Sequence, residues 1–125
     1  MKDKLATLER DGWELESGEE RAKEYADTFE IPSNSELSLV KVGNLVKLIF
    51  IVKAIDKAES ENLQVERMWV YVTETQKGMF IGRLQNKPKS NTQLLAGTEV
   101  KFRVEHIIDI ADQDPPKGWK PTLSI

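Results

Sequence analysis

The hydrophobic rhythm of the chain changes at Gly43. Before it, apolar residues recur at helical spacing; after it, they run in blocks or alternate. Leu5 and Leu8 predict a short helix that stops at Asp11-Gly12. Ser17 and Glu20 then have the Ser-x-x-Glu spacing in which each side chain satisfies an orphan backbone N–H at a helix start. Ala22, Tyr25, Ala26 and Phe29 follow at i, i+3, i+4 and i+7, one apolar stripe of a second helix. Ile31-Pro32 ends it, because the residue before a proline is pushed out of the α region. A further Ser-x-x-Glu, Ser33 to Glu36, predicts one more helical turn before Gly43.

From Gly43 the pattern is that of strands. Residues 44–54 are rich in β-branched and aromatic types, and Leu48 to Val52 are apolar on both parities, as in a strand covered on both faces. The polar run DKAESENLQ reads as a loop with an exposed tip, and VERMWVYVT as the next strand. ETQKG makes a turn, MFIGRLQN returns as the hairpin partner, and KPKSNTQ is a loop containing Pro88. EVKFRV and HIIDIA supply one or two last strands before an irregular tail, DQDPPKGWKP.

Two stretches echo each other. VGNLVKLIF (Val42 to Phe50) and AGTEVKFRV (Ala96 to Val104) both place a Gly, two residues and Val-Lys ahead of a strand. A glycine there supplies the positive φ of a tight turn at the strand entrance. The expected architecture is α+β: N-terminal helices packed on a twisted antiparallel sheet or a small, partly open β-barrel. One domain is expected over 1–125, with a helical segment at 1–32, a β-rich core at 43–110 and an irregular tail at 111–125.

The series GNLVKLIF, ERMWVYV, GMFIGRLQNKP, LLAGTEVKF and EHIIDI, spread between Ile31 and Ile110, resembles the YegJ-like bacterial domains of unknown function. Their pattern joins a Gly-x-x-Val-Lys-Leu strand, a Glu-Arg-Met-Trp-Val strand, a Gly-x-Leu-x-Asn-x-Pro segment and a Gly-Asp-x-Val turn before a terminal Ile-Ile-Asp. Asn44 and Thr98 stand where that family often has Asp after the turn glycine, and both residue types cap turns. The resemblance implies a compact bacterial domain, found alone or attached to others. It carries no reaction, so no catalytic residue comes with it.

Composition narrows the chemistry. The absence of Cys excludes a disulfide framework, a thiol nucleophile and a thiolate metal site, and with a single His no structural zinc site is expected. No cofactor is expected. The longest apolar block, Leu48 to Val52, is far too short to cross a bilayer, and no early apolar run marks a signal peptide, so the default expectation is a cytoplasmic domain without a membrane partner. A net charge of -3 conceals an uneven distribution: residues 1–30 hold ten acidic and five basic side chains, while 75–98 hold Lys77, Arg83, Lys87 and Lys89 and no acid.

The strand VERMWVYV concentrates the candidate binding chemistry. Arg67, Trp69 and Tyr71 share one parity and Met68, Val70 and Val72 the other, so the strand presents two differently employed faces. Trp, Tyr and Arg are the residue types favoured at recognition hot spots. The structural alternative is that the N-terminal helix covers this face, with the Arg67 stem packed on Trp69. Glu66 points to the other side. His106 titrates near neutrality but sits in an otherwise apolar row, where a lone His is more often a satisfied core group than a base. Asn86 and Pro88 have turn chemistry, with a pocket rim beside Arg83 as the functional alternative. Glu105, Asp109, Asp112 and Asp114 are acidic without calcium-loop spacing, which a solvated tail explains without metal.

Three functions are compatible with these residues. The first is a non-enzymatic protein-binding module, immunity-type or regulatory, acting through Arg67, Trp69 and Tyr71 or the Met79, Ile81 and Arg83 edge. The second is a small-ligand receptor or weak enzyme centred on His106 with Glu66 or Arg67. The third is nucleic-acid binding by the hairpin of Lys77, Phe80, Arg83, Lys87 and Lys89, which a pI near 5.3 disfavours.

Overall fold

The computed structural model describes residues 4–112 and 115–125. Its centre is one antiparallel six-stranded sheet. The strands are β1 (Trp13–Glu16), β2 (Leu45–Ile55), β3 (Glu61–Gln76), β4 (Met79–Leu84), β5 (Glu99–Phe102) and β6 (Ile107–Ile110). They run in the order β1-β2-β3-β4-β5, with β6 also paired to β2. β2 carries β3 along one edge; its other edge is shared, with residues 49–52 pairing to β1 and residues 46–48 to β6.

The connection between β5 and β6 forces the sheet to curl. These strands lie four positions apart, a separation of about 19 Å were the sheet flat. Phe102 and Ile107 are joined through a 3-10 turn at Val104–His106, which shortens the reach of the chain to about 13 Å. The outer strands therefore approach one another, and Trp13 of β1 shares a cleft with Glu99 and Lys101 of β5. The result is a curled half-barrel. Its interior holds Val46, Leu48, Phe50 and Val52 of β2 and Met68, Val70 and Val72 of β3, one parity of each strand. Leu94, from the loop after β4, is buried with them.

The repeated Gly motif forms the same joint twice. Gly43 and Gly97 have φ of 97° and 91°, conformations that L side chains rarely adopt. Gly43 N–H donates to Val72 O, Val72 N–H to Asn44 O, and Asn44 N–H to Lys41 O. In the second copy Gly97 N–H donates to Leu84 O, Leu84 N–H to Thr98 O, and Thr98 N–H to Leu95 O. Each turn thus locks a new strand onto the end of an existing one. Asn44 also accepts the Lys41 N–H on its side chain at 2.9 Å, the capping role its position requires.

The helical layer is smaller than the sequence predicts, and the fold is mostly β. Helix α1 (Leu8–Asp11) stops at Gly12, whose φ is 81°. Helix α2 (Gly18–Glu24) is capped by the Ser17 side chain, though the expected return contact from Glu20 is missing among the described residues, and it ends at Tyr25 rather than continuing through Phe29. The stripe fails because two of its four members are alanines, which offer little area to bury, and Tyr25 stays 49% exposed. Without a docked apolar face, so short a helix has little to extend it. α2 packs against β6 and the 3-10 turn instead of spreading over the sheet. Helix α3 (Asn34–Leu37) has the full reciprocal cap between Ser33 and Glu36. Two sheet segments were hidden in the sequence. Trp13–Glu16 forms β1, and residues 61–64 and 74–76, expected in a loop and a turn, extend β3 to sixteen residues.

Candidate functional site

β3 has the two faces its alternation predicts. Met68, Val70 and Val72 are buried in the half-barrel, while Arg67, Trp69 and Tyr71 lie on the outer side, in register with Ile49, Lys47 and Leu45 of β2. Helix α2 stops short of these side chains, but Phe29, the last member of the predicted stripe, still reaches this face, and Ile49 beside Arg67 is fully buried. Phe29, beyond the end of α2, lies with its ring centroid 5.2 Å from the Arg67 guanidinium. Lys47 Nζ lies 5.1 Å from the centroid of Trp69. Both are cation–π contacts, which leave the cations accessible while fixing the aromatic rings. Neither Arg67 nor Lys47 forms an ion pair with a described residue.

The C-terminal segment crosses the lower part of this face. Trp119 packs on Tyr71 at 6.0 Å between centroids. The Gln85 carboxamide then reads the backbone of Thr122 in both directions, donating from Nε2 to its carbonyl (2.9 Å) and accepting its N–H on Oε1 (2.8 Å). This pair reproduces with one side chain the exchange that two strands make in a ladder. Farther on, the backbone of Ser124 passes so close to Gly97 that a Cβ there would lie 2.4 Å from its carbonyl oxygen. A cleft of about 280 Å³ remains between Trp69, Asn86, Ala111 and Trp119.

Other predicted residues serve the frame of this face. Asn86 accepts the Trp69 N–H on Oδ1 at 2.6 Å, and Gln85 N–H donates to Trp69 O at 2.9 Å. The side chain thereby continues the β3–β4 ladder one step after β4 has ended. Glu66, on the opposite side of β3, accepts the N–H groups of Lys89 (2.7 Å) and Ser90 (3.2 Å). Pro88, between these contacts, is buried. Arg83, next to Tyr71 in register, donates to Gly97 O at 3.1 Å and lies 3.7 Å from the Glu99 carboxylate. Glu66, Arg83 and Asn86 thus hold loops and turns in place.

His106 ends the 3-10 turn and is only 4% exposed. Its Nδ1 accepts the Arg103 N–H at 2.9 Å, and its own N–H donates back to Arg103 O. An accepting Nδ1 places the ring proton on Nε2, 3.7 Å from the Glu105 carboxylate. Burial pushes its pKa below 6.5, against an opposing pull from Glu105. The turn also breaks the straight strand on which its parity was counted.

The basic residues of the β4 region do not form one platform. Lys77 lies at the β3–β4 turn, whereas Lys87 and Lys89 lie beyond the far end of β4. Phe80 stacks on Phe102 at 5.3 Å with its ring half-buried against the core. Of the acidic group, Asp114 lies outside the described residues; among the described residues no three acidic or imidazole side chains gather to hold a metal ion. No described helix is long and apolar enough to cross a membrane.

Sequence reasoning missed Lys47, Gln85 and Trp119. A glutamine in a polar stretch carries no local signal of its partner. A Trp in an otherwise polar tail did carry one, since so large an apolar ring rarely stays wholly in solvent.

None of the curated proteins and none of the solved structures matches this chain. A bacterial family profile does, over residues 13–114, from the first residue of β1 to just past β6. That span contains the whole sheet and both copies of the glycine joint, and it stops short of the segment seated on Tyr71 and Gln85. The chain belongs to DUF2314, a family of uncharacterized proteins conserved in bacteria.

Proposed function

We propose that this domain is a non-enzymatic protein-binding module, a cytoplasmic regulatory or immunity-type partner, a role that suits a small, acidic chain without cysteine. In this reading it holds an extended segment of another protein on the outer face of β2–β4. The observation that carries the reading is the seat of the C-terminal segment. One aromatic packs on Tyr71, three residues later a backbone amide pair is read by Gln85, and the next residues pass over a glycine. One ring stack and one backbone amide pair hold the segment, so the contacts depend on its main chain and one aromatic side chain. Arg67 and Lys47, both without a carboxylate partner among the described residues, extend the same face and favour an acidic flank in the ligand.

The alternatives draw less support. A receptor or enzyme centred on His106 needs a ring open to a substrate, and this ring is buried with Nδ1 engaged by the backbone. A nucleic-acid platform needs an open aromatic, and Phe80 is stacked on Phe102.

The test is affinity capture from a bacterial lysate with the intact chain and with Arg67→Ala and Trp69→Ala variants. A partner held through this face is captured by the parent chain and lost, or strongly reduced, with both variants. A partner retained undiminished by both ends the proposal.

A further inference from the structure

The upper half of β3 has an open edge. β3 pairs with β2 from Glu61 to Tyr71 without interruption, whereas β4 reaches only from Gln76 down to Val70. Trp69 is served by Gln85 and Asn86. The ladder direction follows from these contacts: Trp69 turns its N–H and C=O away from β2, while Val72 turns its own toward Asn44 and Gly43 at the β2 entrance. The backbone groups of Glu61, Leu63, Val65 and Arg67 therefore point away from β2, and among the described residues none bonds to a strand on that side. Leu63 and Val65 are 58% and 53% exposed, on the same outer face as Arg67.

We propose that this edge is a homodimer interface, in which β3 pairs antiparallel with β3 of a second copy about a two-fold axis. The charge pattern selects one register. Setting Leu63 opposite Val65 of the partner copy also sets Glu61 opposite the second Arg67, and by symmetry each contact occurs twice. All four outward-facing residues then find partners, forming roughly eight backbone hydrogen bonds. A shift by two residues in one direction brings Glu61 against Trp69, whose backbone is already occupied. The opposite shift runs the strand into the turn at residues 56–60. Neither Glu61 nor Arg67 has an ion-pair partner among the described residues that would compete. The edge is distinct from the outer face proposed above for protein binding, although Arg67 borders both.

Sedimentation equilibrium of the intact chain up to about 1 mM tests the idea, that range covering weak association. The expected result is a reversible monomer–dimer equilibrium. Val65→Pro removes an outward N–H at a position where edge strands tolerate proline, and it abolishes the dimer. Glu61→Arg and Arg67→Glu each place like charges opposite one another twice, weakening association about tenfold or more. The double swap restores the parent affinity, which a variant that merely misfolds cannot do. Trp69→Ala leaves the dimer intact, so loss of the peptide seat and loss of the edge are read separately. A chain that stays monomeric throughout, or a double swap that fails to restore dimers, overturns the proposal and makes the exposed charges edge protection.

Discussion

The Asn86 side chain is the most economical test of how the outer face is built. Asn86→Ala removes the oxygen that accepts the Trp69 N–H at 2.6 Å and leaves the adjacent Gln85–Trp69 backbone bond in place. The contact is partly buried, so the orphaned N–H regains only partial hydration. A neutral hydrogen bond contributes about 1 kcal/mol, and an unsatisfied buried donor costs about 1–3 kcal/mol; partial burial puts the expected loss at about 1.5 kcal/mol. For a chain of this size that lowers Tm by roughly 6 °C. The assay is thermal and urea unfolding followed by far-UV circular dichroism. Asn86→Asp is the control: it keeps an acceptor oxygen at the same place and is expected to lose much less. An alanine variant within about 0.3 kcal/mol of the parent, or an aspartate variant as unstable as the alanine one, would refute the assignment of Asn86 as a ladder extension.

Two further perturbations separate structural elements. His106 has its folded pKa depressed by burial, so the unfolded chain binds the proton more readily. Its contribution is full above the unfolded value of about 6.5 and is lost as pH falls from there through the folded pKa. Urea unfolding at about pH 7.5 and 5.5 should therefore show a drop that His106→Asn flattens; equal slopes in parent and variant would exclude His106 as its source. Gly97→Ala and Gly43→Ala both force an L residue into positive φ, at about 1–2 kcal/mol. Only the Cβ at 97 also meets the backbone of Ser124, so only Gly97→Ala should release Trp119, seen as a change in tryptophan emission. Release by both variants, or by neither, would contradict the path of the C-terminal segment.

The sequence read most clearly where a local rule sufficed. The Ser17 and Ser33 caps, the Gly12 stop, the paired turns at Gly43 and Gly97 and the two faces of β3 all follow from spacing or backbone conformation. The helix length was overestimated because periodicity counts positions and ignores how little area Ala22 and Ala26 can bury. β1 was overlooked because four alternating residues are a weak signal until β2 offers an edge. The site was legible in its residue types and illegible in its partners. Arg67, Trp69 and Tyr71 shared a face as expected, yet nothing local connected Gln85 to Thr122, thirty-seven positions away. His106 is buried, as a core histidine would be, but the 3-10 turn that binds its Nδ1 breaks the row of alternating positions and leaves Val104 exposed.

The outer face of β3 is proposed to seat a chain segment, and the three indoles report on it directly. Trp69 lies on that face, Trp119 on the segment that crosses it, and Trp13 in the core. The decisive measurement titrates a ¹⁵N-labelled chain carrying Trp119→Ala, which loosens its own segment, with a synthetic peptide of residues 115–125. The Trp69 indole N–H signal should shift saturably while that of Trp13 stays fixed. A Trp69 signal that does not move, or one that moves only together with Trp13, would contradict the central claim.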